Sequence, residues 1–304
     1  MAILLGARTL DFHGITTVHG NASLEHTTRN ARQTVEFANL TSLPIAKGMP
    51  RPLLREVHYA PEVHGESGLD GPVLPPPTVS LRDQHAVDFI IEQSHTIPDL
   101  YLVPTGPLTN IAAALLRDPS LPSRIKGISL MGGSLTFGNS TPASEFNIWC
   151  DPEAAHLVFT SGIPIKMVGL NVTRQVPATA ERVAQIRKIG RTTTTHVADM
   201  LDFYSVRLIK EYGVGGGMHD PLAVAALVDP EILRFEPMHV VVELKGEHTY
   251  GMTLCDGRHL RPDNLAIPGP TGIHEGAPPN AEVAIAVNAD RFWELFLDIL
   301  ATYP

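Results

Sequence analysis

Short apolar runs alternate along the chain with amphipathic stretches of helical period, and Gly, Pro and Asn mark the junctions. Ala2 to Ala7 reads as the interior of a buried helix, with no N-cap or polar first turn ahead of it. Phe12 to Val18 is rich in β-formers and ends at His19-Gly20-Asn21, after which Ser23 caps a helix over Leu24 to Asn39. Ile45 begins a short strand. From Gly65 to Thr78, Gly71-Pro72 and Pro75-Pro76-Pro77 permit only loop, and a helix follows over Arg82 to Ser94 with Ala86, Phe89, Ile90 and Ile91 on one face.

Leu100 to Val103 is a strand that runs into Pro104-Thr105-Gly106-Pro107 and then a helix from Leu108 to Leu116, and Ile125 to Met131 repeats the strand, ending at Gly132-Gly133. Asp151-Pro152-Glu153 supplies an N-cap, an N1 proline and an acidic first turn for a helix to Phe159, and Ile163 to Leu170 is the next strand. Helices are predicted over Thr179 to Ile189, Thr192 to Glu211 and Pro221 to Leu227. Met238 to Leu244 and Thr249 to Cys255 pair as a hairpin around Lys245-Gly246. Pro262 to Asn280 reads as a surface loop, followed by a strand over Val283 to Val287 and a helix over Asp290 to Leu300.

This order predicts an α/β fold: one domain over residues 1–304, with a mostly parallel central sheet flanked by helices and a small β-hairpin elaboration near Val240 to Cys255. In such sheets ligands collect at the carboxyl ends of the strands. The residues there are Asn21, His64 in its loop, Thr105, the stretch after Met131, Asn171 and His219-Asp220, a set of amides, carboxylates and imidazoles.

Composition narrows the function classes. With 43% hydrophobic and 18% charged residues among 304, the chain is neither disordered nor fibrous. A net charge of -9 without a basic run argues against a nucleic-acid partner. Cys150 and Cys255 offer neither a disulfide framework nor a zinc ligand set, so a reducing, cytoplasmic setting is expected. The opening segment is broken by Arg8 and lacks signal-peptide character, and no apolar stretch is long enough to span a membrane.

Taken singly, the polar motifs have plain structural readings. His219-Asp220-Pro221 is a good helix start with Asp220 as N-cap, Asp151 is another cap, and Thr105-Gly106-Pro107 is a strand-to-helix turn. Asn21, Asn139, Glu145 and Asn147 are turn or surface residues, His64 is a loop histidine, and Trp149 and Trp293 are packing residues.

Taken together they say more. Val18-His19-Gly20-Asn21, His64-Gly65-Glu66-Ser67-Gly68-Leu69-Asp70-Gly71, Pro104 to Asn110, Leu130-Met131-Gly132-Gly133, Glu145-Phe146-Asn147 and Met218-His219-Asp220-Pro221 occur in one order across nearly the whole chain. In this the sequence resembles the inosine-uridine nucleoside hydrolases. The resemblance implies hydrolysis of the N-glycosidic bond of small-molecule ribonucleosides with a bound Ca²⁺ that positions water and the ribose diol. It assigns Asp220 and the main-chain carbonyl of Thr105 to the metal, and Asn21, Asn139, Glu145 and Asn147 to the ribose hydroxyls. Met131 would line the ribose pocket, His64 would contact the base, and His219 would give the leaving base a proton or strong hydrogen bond. The two histidines resemble pyrimidine-preferring and nonspecific members, and a homo-oligomer is implied.

One departure stands against these matches. The family carries an Asp-x-Asp-x-x-x-Asp-Asp cluster before a helix that matches Ala2 to Ala7, and the sequence begins after it. The expectation that follows is an N-terminally shortened form of a longer, active enzyme. The alternatives are a catalytically inactive nucleoside-binding homologue and a hydrolase of another N-riboside such as nicotinamide riboside.

Overall fold

Most of the apolar runs become strands, Ala2 to Ala7 becomes a helix, and most of the amphipathic stretches become helices that cover the strands. The computed structural model describes residues 1–213, 215–260 and 277–304. Its first half contains α1 (Ala2–Thr9), β1 (Ile15–Thr17), α2 (Leu24–Phe37), β2 (Ile45–Lys47), α3 (Pro61–His64), α4 (Ala86–Thr96), β3 (Leu100–Leu102), α5 (Thr109–Arg117) and β4 (Ile125–Met131). Then follow α6 (Phe146–Cys150), α7 (Pro152–Phe159), β5 (Ile165–Val168), α8 (Leu170–Thr173), α9 (Ala180–Lys188), α10 (Thr192–Tyr212) and α11 (His219–Val228). The last part holds β6 (Leu233–Met238), β7 (Val240–Val242), β8 (Thr253–Cys255), β9 (Ala281–Val287) and α12 (Ala289–Leu300).

Five strands form the main sheet in the order β3-β4-β5-β9-β6, parallel except for the antiparallel edge strand β6, while β1 and β2 form a separate parallel pair. The register sets Met131 opposite Val168 and Met167 opposite Val283. Because successive side chains leave a strand on opposite faces, Met167 and Val283 enter one core while Val168 and Ala284 enter the other. The first core packs against α5 and α7, and the second takes Leu4 and Leu5 of α1, Leu222 of α11 and the Phe292, Trp293 and Phe296 cluster of α12. Trp293 is a packing residue, as expected.

Local chemistry explains most element starts. Ser23 accepts from His26 N to cap α2, Thr179 caps α9, and Asp151 accepts from Ala154 N ahead of Pro152. Three expectations need correction. Asp220 is not an N-cap: Met218 takes that position and α11 already begins at His219, which leaves the Asp220 carboxylate free of backbone duty. The strand predicted from Met238 is interrupted, since β6 ends there and β7 pairs with β8 from Val240 opposite Cys255 to Val242 opposite Thr253, across a longer turn in which Glu243 accepts from Lys245 and Gly246. The strand predicted to Leu170 stops at Val168, because Leu170 starts the single turn of α8. Most of the predicted Pro262 to Asn280 loop lies outside the described residues.

A buried polar chain ties the strand ends together. Thr109 Oγ1 donates to Asp151 Oδ2 at 2.7 Å and stands 3.0 Å from His19 Nε2. The hydroxyl proton is committed to Asp151, so His19 carries its own proton on Nε2 and is neutral. Burial holds its pKa down at about 4. Below its ordinary value of 6.5 the unfolded chain takes up a proton that the folded chain refuses, so this contribution to stability is complete above pH 6.5 and is lost as the pH falls towards 4. Between pH 7 and pH 5 the loss is about 2 kcal/mol. His19→Gln is expected to flatten the pH dependence of the urea midpoint by that amount, and an unchanged slope would refute it.

Candidate active site

The carboxyl ends of β3, β4 and β5 and the first turn of α11 gather the polar residues. Met131 closes β4, and the Gly132-Gly133 turn follows. Gly133 adopts φ +69, and its N–H reaches Glu145 Oε2 at 2.9 Å. The same oxygen accepts from Asn147 N at 3.0 Å and Ile148 N at 3.3 Å, so Glu145 caps α6 with one oxygen. Asn147 then extends its amide across two strand ends, donating to Met131 O at 3.0 Å and Thr105 O at 3.4 Å. That single amide brings three of the predicted residues into one arrangement.

Charge connects the next pair. Burial pushes the Glu145 carboxyl up to about 7, against the pull of its three N–H donors and with a further push from Asp220. Burial likewise raises Asp220 to about 6. Two carboxylates that repel each other in a desolvated pocket form a receptor for positive charge.

Two imidazoles belong to the same buried set. His219 Nδ1 lies 2.6 Å from Thr173 Oγ1 at the end of α8, and burial, reinforced by Arg174 and His64, pulls its pKa down to about 3. His64 ends α3 and stacks on Tyr204 of α10, with ring centroids 5.4 Å apart and planes 11° apart. Burial lowers its pKa to about 4. Tyr204 has its phenol raised by burial and by Asp220, which links the stack back to the carboxylates.

Two predicted residues sit at the margin. Asn21 is half-buried in the turn after β1, where its carbonyl accepts from Ala60 N, just ahead of the helix that carries His64. Asn139 is exposed, and its Oδ1 accepts from Phe146 N at 2.8 Å, so it braces the Glu145 turn. Asn171, noted among the strand-end residues, holds Ala284 O and Leu135 N instead.

The sequence reading did not include Tyr204, Thr173 or Arg174, whose guanidinium lies 5.0 Å from the Phe137 ring centroid. One structural mark accompanies Tyr204. A Cβ on Gly216 would fall 2.0 Å from Tyr204 Cε1, and one on Gly217 would fall 2.9 Å from His219 Cε1. The glycine run before His219 is thus the mark of two rings packed against backbone.

A metal ion would meet few ligands here. Calcium takes six to eight oxygens, whereas the predicted ligands offer the Asp220 carboxylate and the Thr105 carbonyl. Among the described residues no group of three or more His, Cys, Asp or Glu side chains is placed to hold an ion. These residues alone do not complete a calcium site. Among the described residues no helix is long and apolar enough to cross a membrane.

The family model of the inosine-uridine preferring nucleoside hydrolases matches residues 1–294. An inosine-uridine preferring nucleoside hydrolase of Leishmania major is 39% identical over 97% of this chain and 90% of its own length. The pyrimidine-specific ribonucleoside hydrolase RihA of Escherichia coli K12 is 39% identical over 100% and 94%. The solved structure of a purine-preferring ribonucleoside hydrolase from Gardnerella vaginalis superposes with a TM-score of 0.88 at 33% identity, covering 99% of this chain and 94% of its own. The chain belongs to the inosine-uridine preferring nucleoside hydrolase family and is an N-glycosyl hydrolase.

Proposed function

We propose that the chain hydrolyses uridine and inosine to ribose and free base, with the ribose held over Glu145, Asn147 and Met131 and the base between His64 and His219. The observation that carries this reading is a pair of buried carboxylates, Glu145 and Asp220, gathered at the strand ends with a neutral His219 that directly precedes Asp220 in the first turn of α11. As the N-glycosidic bond lengthens, the sugar becomes oxocarbenium-like and the carboxylates stabilise the charge that develops; water then bonds to the anomeric carbon, and the proton it gives up balances the one taken up by the base that leaves with the bonding pair. Asn147, fixed by two carbonyls, keeps Glu145 and the strand ends in place. Asn21 and Asn139 would reach the ribose from the rim.

His219 would act as a neutral donor. Thr173 Oγ1 has no other acceptor among the described residues, so its proton goes to Nδ1 and the ring keeps its own on Nε2. That N–H stabilises the departing base by hydrogen bonding. The calcium implied by the resemblance would find Asp220 and the Thr105 carbonyl as oxygen ligands. With so few ligands this chain would bind it weakly, and the steps above rest on the protein's own groups.

Ribose release from uridine, inosine and nicotinamide riboside, with calcium and with a chelator, tests the proposal. Turnover of uridine and inosine supports it. Binding of uridine without ribose release would make the chain a nucleoside-binding homologue, and turnover confined to nicotinamide riboside would move the substrate class. A second test concerns the base wall. Gly216→Ala forces the Tyr204 ring away from His64, so KM for uridine should rise about tenfold with kcat little changed, the effect of losing one ring contact. An unchanged KM would remove the His64 and Tyr204 pair from the base site.

A further inference from the structure

A cavity of about 500 Å³ adjoins the two segments that carry the stacked His64 and Tyr204 rings. Arg29 and Gln33 of α2, Ser67 and Asp70 of the His64 loop, Leu74 and Phe203 of α10 are among its walls. Phe203 directly precedes Tyr204, and the loop residues directly follow His64, so the cavity and the base wall share the same two segments.

Arg29 is the unusual member. It makes no ion pair or hydrogen bond among the described residues, and its Nε is shielded from solvent without an acceptor. Asp70 in the same wall forms no ion pair with it and instead turns Oδ1 to the N–H and hydroxyl of Ser67. Gln33 donates its amide to the Leu74 and Pro75 carbonyls. A guanidinium whose Nε is buried without an acceptor is matched by a planar or tetrahedral oxyanion, and the volume suits a small metabolite.

The loop over the cavity is one that a ligand can restrain. Gly65, Gly68 and Gly71 adopt φ of +77, +74 and +126, and the segment is held to α2 by Asn30 Nδ2 donating to Ser67 O at 2.7 Å. We propose that the cavity is an effector site for a small organic oxyanion, phosphate or carboxylate, bound through Arg29 with its body against Leu74 and Phe203, and that its occupancy stiffens the loop carrying His64. The relevance of that loop to turnover rests on the base-wall reading above; the binding does not.

Calorimetric titration of the full chain with ribose 5-phosphate and with citrate, paired with amide hydrogen exchange over residues 64–72, tests this without any turnover. Binding is expected for at least one probe, with slower exchange in the loop, and the probe preferred tells phosphate from carboxylate. Arg29→Gln breaks no hydrogen bond or ion pair among the described residues and should weaken binding by about tenfold or more, and Leu74→Trp, which fills the space without altering charge, should do the same. No heat with either probe, equal affinity in Arg29→Gln, or binding with unchanged loop exchange would each overturn the proposal. Arg29→Gln should hydrolyse uridine as the parent chain does when no effector is present, so failure here leaves the hydrolase reading standing.

Discussion

Glu145→Gln is expected to lower kcat/KM for uridine by about 10² to 10³ while leaving the melting temperature nearly unchanged. The Gln carbonyl can replace Oε2 as acceptor for Gly133, Asn147 and Ile148, so the cap of α6 survives. What changes is the other end of the group, where an N–H₂ donor without charge replaces a carboxylate oxygen in the pocket. Glu145→Ala separates the two roles. It also strands three buried N–H groups at about 1–3 kcal/mol each, so the melting temperature should fall by about 5 °C or more. Calorimetry beside steady-state kinetics checks both. Full activity in Glu145→Gln would exclude the carboxylate from charge stabilisation.

The second large effect concerns the leaving group. His219→Ala should reduce kcat on uridine by about 10² to 10⁴, the range for removing a positioned proton donor. On 4-nitrophenyl riboside, whose phenolate departs without help, the same variant should lose about tenfold or less. Equal losses on the two substrates would mean that His219 binds or shapes the pocket and does not assist departure. Thr173→Val provides the companion measurement: with the Nδ1 partner gone the tautomer is no longer fixed, and a loss of about tenfold on uridine alone is expected.

Much of the fold was legible because local chemistry decided it. Asp151 followed by Pro152 starts α7 where the capping preference places it, and Ile125 to Met131 is a strand at its predicted bounds because a central parallel strand is apolar on both faces. β6 escaped notice for the converse reason. As the antiparallel edge it carries Arg234, Glu236 and Pro237, which break any apolar run. Within the site, Asn147, Glu145 and Met131 were readable from one stretch of chain. Tyr204 and Arg174 were not, since they reach the site from α10 and the end of α8, and only tertiary packing gives them their neighbours. Asp220 was read two ways, and the helix begins two residues earlier than the capping reading required.

The position of β9 dictates an order of assembly. It lies between β5 and β6, pairing Lys166 with Glu282 and Met167 with Val283, so the two halves of the main sheet meet only through a strand encoded near the end of the chain. Pairings so distant in sequence must close a long loop before they return any stabilisation, which makes them late and slow. During synthesis, β5 therefore presents an unpaired edge until β9 has left the ribosome. That open edge is where a nascent chain of this fold is most exposed to aggregation and to capture by chaperones.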